Sequence, residues 1–339
     1  MAQGLNFFTN GTEVTPTEDD TWRDVDVSAL VPSGTTGVLL HIENAATATQ
    51  YKCDVRKNGS TDDDYANSMI RPERHVFRIV GVDSNRIFEA CVQNASVNIF
   101  LIGYTDRLVV LRDNKVDVTP GTADSWQDLN LAAYIPANAS GAIFKLVNSH
   151  TSSSLILSVR KDGSSDSPAA GCKVGYYGLT NLLCGVVNRV CEGYSDDLSY
   201  AKIYLVGYTL SPVVFFTNAI EVSPSATGSW LDVDVTIQTS PKAVAVMMAI
   251  GNTDTTTARS GSVRNNGSTD DKKNNIGGNE HIGAFIGLDG GQVYEAYESI
   301  AGVEFRIMGY CQPEAGRTHS EGARFSASNP PDSALLSSL

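Results

Sequence analysis

The chain has no run of about 18 apolar residues, so no segment reads as a membrane-spanning helix. It has no surplus of positive charge. The 25 Lys and Arg against 38 Asp and Glu give a net charge of −13, which argues against nucleic acid as a partner, because that binding depends on Lys and Arg displacing counterions. It has no cysteine framework either. The six cysteines, at 53, 91, 172, 184, 191 and 311, do not recur with the internal repeat of the chain and show no metal-type C-x-x-C spacing. They are expected to be free, small core residues. The opening Met1–Asn6 lacks the basic and apolar regions of a leader, which predicts a chain made and kept in the cytoplasm. No 3.6-period segment of helical length occurs, and no pattern calls for a cofactor or a metal.

What the chain has is one domain written three times. Val55-Arg56-Lys57-Asn58-Gly59-Ser60-Thr61-Asp62 returns as Val159-Arg160-Lys161-Asp162-Gly163-Ser164-Ser165-Asp166, and again as Val263-Arg264-Asn265-Asn266-Gly267-Ser268-Thr269-Asp270. Asn-Gly or Asp-Gly after a β-branched residue is a strong hairpin signal, since an I′ turn needs positive φ at both central positions. The pairs Asn58-Gly59, Asp162-Gly163 and Asn266-Gly267 are therefore assigned to structural hairpins. Around them run alternating segments such as Trp22–Val27 and Val97–Tyr104, with turns every 8–12 residues in about eight short strands per copy. Together these predict an all-β chain of three tandem β-sandwich, jelly-roll-like domains at 1–106, 107–210 and 211–312. Their linkers are too short for free tumbling, which leaves a semi-rigid rod or a compact pseudo-threefold cluster. Residues 313–339, rich in Pro, Gly, Ser and Ala, read as an extended C-terminal arm whose Phe325, Leu335, Leu336 and Leu339 suit a neighbouring subunit.

Several residues invite a chemical reading. Strict alternation puts Trp22, Trp126 and Trp230 on the face of the neighbouring acids, as glycan platforms or assembly contacts; a bulge would instead turn them into the core. Tyr104, Tyr208 and Tyr310 end a mixed polar and aromatic face, either covered by the domain's own loops or used for docking. Arg56, Arg160 and Arg264 recur with Glu89, Glu192 and Glu295, which predicts an Arg–Glu pair in each copy rather than a catalytic carboxylate. No second recurring carboxylate stands at a suitable neighbouring position. His75 and His281 lack a histidine counterpart in the second copy, and Asp62-Asp63-Asp64 is not matched by enough oxygen ligands elsewhere for calcium. The N-x-S/T sequons at Asn58 and Asn266 are explained by turn chemistry.

The motif V-R-[KN]-[ND]-G-S-[ST]-D with a closing Gly-Tyr strand resembles repeat domains of phage virion proteins and microbial surface proteins. The resemblance covers roughly residues 7–312 and implies a structural or adhesive role, with no site residues of its own. The expectation is a non-enzymatic structural protein of a symmetric particle, a virion component assembled in the host cytoplasm. It would partner with itself or with other virion proteins. The alternative is an extracellular or cell-surface module, either a filament subunit or a binder of surface glycans through Trp22, Trp126 and Trp230. A carboxylate pair in a cleft would be needed for a third class, a glycan-cleaving enzyme.

Overall fold

A computed structural model describes residues 2–18, 20–167 and 173–314. The C-terminal arm, with Phe325, Leu335, Leu336 and Leu339, lies outside the described residues. The first copy forms β1 (Leu5–Glu13), β2 (Trp22–Asp26), β3 (Gly37–Asn44), β4 (Tyr51–Lys57), β5 (Met69–Ile70), β6 (His75–Gly81), β7 (Ile87–Val92) and β8 (Val97–Thr105). The second forms β9 (Val109–Asp117), β10 (Gln127–Asn130), β11 (Ala139–Asn148), β12 (Leu155–Lys161), β13 (Lys173–Val174), β14 (Gly178–Gly185), β15 (Val190–Ser195) and β16 (Ala201–Leu210). The third forms β17 (Val214–Glu221), β18 (Trp230–Asp234), β19 (Ala245–Asn252), β20 (Arg259–Asn265), β21 (Asn275–Ile276), β22 (His281–Gly287), β23 (Val293–Glu298) and β24 (Val303–Cys311). No α-helix occurs among the described residues, and none is long and apolar enough to cross a membrane.

The strands make six antiparallel sheets of four. In the first copy the orders are β1-β8-β3-β6 and β2-β7-β4-β5, and both later copies keep these orders. Their two sheets enclose a core that includes Leu40, Ile42, Val55, Phe88 and Ile99. A second core does not respect the copies. Leu5, Phe77, Ile143, Leu183, Phe215, Met247 and Phe285 belong to one apolar cluster drawn from all three. At its centre β6, β14 and β22 pack against one another. Phe77 meets Phe285 edge-on at 6.1 Å, Arg78 donates to the Leu179 carbonyl at 2.9 Å, and Gly283 N donates to Thr180 Oγ1 at 3.0 Å. A Cβ on Gly283 would fall 1.7 Å from the Asn181 carbonyl oxygen, so only glycine permits that approach.

The expectation of three tandem jelly-roll-like sandwich domains is corrected here. The chain builds one body of six small antiparallel sheets about a common axis, which is the blade number and blade size of a six-blade β-propeller. The propeller likeness lies in that count and arrangement; within a blade the strand order is not sequential. The physical reason is burial. Strand β8 alternates buried and half-buried along its whole length, so neither face is left to solvent. Spacing alone shows the strands and one core face, but not that the second face is covered by another copy.

Candidate functional site: the seams between copies

The repeated motif does two jobs in each copy. Val55 is buried in the core, while Arg56 lies on the opposite face. Arg56 Nε donates to Glu89 Oε2 at 2.9 Å, its Nη2 to Oε1 at 3.2 Å, and its Nη1 to the Asp62 carbonyl at 2.9 Å. Its guanidinium also lies 4.1 Å from the Trp22 ring. Arg160 makes the same fork to Glu192 and stacks at 4.1 Å on Trp126. Arg264 does so with Glu295 and, at 4.4 Å, with Trp230. Bidentate Arg–carboxylate bonds are among the stronger polar contacts, and the stacked cation adds about 0.5–2 kcal/mol. The tryptophans are therefore neither bare platforms nor core anchors. They sit half-buried on the face of Asp24, Asp128 and Asp232, each under an arginine.

The turn itself differs from expectation. Gly59, Gly163 and Gly267 have φ of 77°, 79° and 75°, but Asn58, Asp162 and Asn266 do not take positive φ. Ser60 N bonds the Lys57 carbonyl at 3.0 Å, the geometry of a type II rather than an I′ turn. The chain then leaves the sheet instead of returning as a hairpin, for β5 pairs only with Tyr51 and Lys52 at the far end of β4.

Beyond the turn, the last residues of the motif clasp the next copy. Strand β9 shifts register against β16 between Leu111 and Val116, freeing Asn114. Asn114 Oδ1 accepts from Ser60 Oγ at 3.0 Å and Thr61 N at 2.9 Å, and Lys115 N donates to Asp62 Oδ2 at 2.8 Å. The third copy clasps the second identically: Asn218 takes Ser164 Oγ at 2.9 Å and Ser165 N at 2.8 Å, while Ala219 N reaches Asp166 at 2.8 Å. The first copy clasps the third, where Asn10 takes Ser268 Oγ and Thr269 N at 2.9 Å each and Gly11 N reaches Asp270 at 2.9 Å. The three clasps form a closed cycle, so the compact pseudo-threefold cluster is the arrangement adopted.

Behind each clasp, one position of β3, β11 and β19 faces the seam, and it differs in every copy: His41, Lys145 and Ala249. Lys145 Nζ lies 3.0 Å from Asp54 Oδ2 and 3.0 Å from Asp64 Oδ2 of the first copy. Burial opposes its charge, but the two carboxylates outweigh burial and raise its pKa above the ordinary lysine value. His41 stacks on Phe77 at 4.6 Å and lies 5.0 Å from His75. Lys272 of the third copy bonds Glu43 at 2.8 Å beside them and lies over the Phe100 ring at 3.5 Å. Ala249 leaves a cavity of about 90 Å³ between the second and third copies, lined by residues that include Trp126, Ser158, Phe216, Arg306 and Met308.

The mixed faces of β8, β16 and β24 meet a neighbouring copy through residues such as Phe100, Val206 and Arg306, whereas their tyrosines pack within their own copies. Tyr104 lies 5.9 Å from Phe8, Tyr310 lies 5.9 Å from Phe216, and Tyr208 packs on the core of its own copy. All three are half-buried. Of the cysteines, Cys53, Cys91, Cys184, Cys191 and Cys311 are buried and free. No cluster of metal-ligating residues occurs among the described residues. The sequence reading found the Arg–Glu pairs by their recurrence. It missed Asn10, Asn114 and Asn218, although Asn recurs there at the repeat spacing, and it missed Lys145, whose signal is departure from its counterparts.

Comparisons with known proteins add little. No family model matches the chain, and no curated protein matches it. Among solved structures, the chain is similar to a chain in an atomic structure of Sulfolobus Turreted Icosahedral Virus at 9% identity and a TM-score of 0.23. The match covers 93% of this chain and 92% of that one, and at that TM-score it carries no argument.

Proposed function

We propose that this is a non-enzymatic structural protein, a rigid building block of a larger symmetric assembly, and specifically a virion component such as a capsid decoration, spike or tail protein. The observation that carries the reading is where the recurring polar residues go. Arg and Glu of each copy bind one another, and Ser, Thr and Asp of each motif bind the next copy, leaving the recurring motif no free chemistry to offer a substrate. A second support is repetition at the surface. Leu30 and Tyr134 are exposed at equivalent positions in the turns after β2 and β10, and Ile237, one residue earlier in the equivalent turn after β18, is 93% exposed. Apolar side chains presented once in each copy suit contact with other subunits.

The adhesive reading keeps one specific support. Trp126 and Tyr194 form a half-buried pair 5.6 Å apart, and Trp230 and Tyr297 form another 5.7 Å apart. Native mass measurement and electron microscopy of the full chain separate the two. Defined symmetric assemblies support the structural role. A monomer at high concentration whose tryptophan fluorescence is quenched by sugars overturns it in favour of glycan binding.

A further inference from the structure

At one end of the axis the three copies converge with unequal residues. Equivalent positions read Arg71, Gly175 and Gly277, and three residues on they read Arg74, Gly178 and Glu280. The glycines make room for the charged side chains. A Cβ on Gly175 would lie 2.8 Å from Arg71 Nη2, and one on Gly277 would lie 2.5 Å from Glu280 Oε2. The buried Glu280 carboxylate accepts Arg71 Nη1 at 2.7 Å, Ser154 Oγ at 3.0 Å, and Arg74 Nη1. Two guanidiniums thus share one carboxylate, and the cluster carries one uncompensated positive charge.

Two donors in the same place are unused. Arg71 Nη2 is buried without a hydrogen-bond partner, and so is Nδ2 of Asn274, a residue only 1% exposed whose Oδ1 is already occupied by His75 N at 2.9 Å. Both side chains line an axial cavity of about 60 Å³, whose walls include Leu179, Ile276 and Ile282. Tyr176 stacks on Arg71 at 4.0 Å and fixes the guanidinium plane. A buried donor left unmade is destabilising, more so when charged. Water alone would satisfy the donors but would not balance the charge.

We propose that the axial cavity binds one small monovalent anion of halide size, held by Arg71 Nη2 and Asn274 Nδ2, which neutralises the cluster where all three copies meet. A site of this volume takes a halide and a little water. It stands independently of the assembly reading, since it concerns the folded chain alone.

The test uses crystals of the full chain soaked in bromide, with anomalous scattering as the readout. The expected result is a peak inside the axial cavity within hydrogen-bonding reach of both donors. Asn274→Ser installs the residue that the first copy carries at the equivalent position, Ser68, and should abolish that peak while leaving surface peaks unchanged. No axial peak in the unaltered protein overturns the proposal, as does a peak that survives the substitution. Peaks at surface lysines alone mean an adventitious ion only and also overturn it. In solution, chloride added at constant ionic strength in place of gluconate should raise the melting temperature, and no rise overturns the proposal.

Discussion

Lys145 shows how much a single residue can carry when the repeat makes its neighbours predictable. It is 8% exposed and holds two carboxylates of another copy, with Lys115 also on Asp64. Removing one partner of such a cluster leaves charge buried and unpaired, which costs about 3–5 kcal/mol. Lys145→Met should therefore lower unfolding free energy by about that much, read from denaturant midpoints. Lys145→Ala with Asp54→Ser writes this seam in the terms of the second, where Ala249 faces Ser158, and should recover a large part of the loss. A silent single substitution would mean that the cluster does not hold the seam. Recurrence made Arg56, Arg160 and Arg264 legible with their glutamates. Lys145, Arg71 and Glu280 occur once each, and a search for repeats passes over residues that break them.

Strand β3 brings His41 and Glu43 to the seam with the third copy, opposite His75 of β6 and Lys272. Burial pushes His41 well below its ordinary pKa, with His75 and Lys272 adding to it, and burial lowers His75 to about 4 against partial support from Glu43. Both side chains are thus held neutral in the fold, while an unfolded chain protonates them near the ordinary value of about 6.5. Their contribution is fully present above about pH 6.5 and is lost progressively as pH falls toward 4, by up to about 1.4 kcal/mol per unit for each group. Burial alone would raise Glu43, but its bonds to Lys272 and Asn98 hold its pKa low. Its own loss belongs below the ordinary glutamate range, in a more acid window. Unfolding midpoints measured between pH 7.5 and 5 should fall, and His41→Phe with His75→Gln should flatten the fall. An unchanged slope would show that the two histidines are not its source. At this scale alternation revealed which strands exist and which residues face the nearer core. The partner of the second face was hidden, because mixed polar and aromatic residues suit a loop, a solvent layer or another copy equally well.

The whole molecule is a cycle in which only two of three seams are crossed by the chain. The third joins the last copy to the first through Asn10, Gly11 and the Lys272–Glu43 pair. The described ends meet there too: Glu314 N donates to the Ala2 carbonyl at 3.1 Å, and Arg107 pairs with Glu314. If closure rather than chain order defines the fold, moving the break from one seam to another should matter little. A permuted chain that joins Glu314 to Ala2 through a short Gly/Ser linker and opens between Ser211 and Pro212 tests this, since that junction is equivalent in the cycle. It should melt in one cooperative transition within a few degrees of the parent, with calorimetric and van't Hoff enthalpies equal, because the shared core ties all three copies into one unit. Two or three separate transitions would mean that the copies are stable alone and that the clasps only decorate their contacts. A single transition shifted far downward would place the stabilising weight on the covalent links, with proximity along the chain supplying the effective concentration that the clasps were credited with.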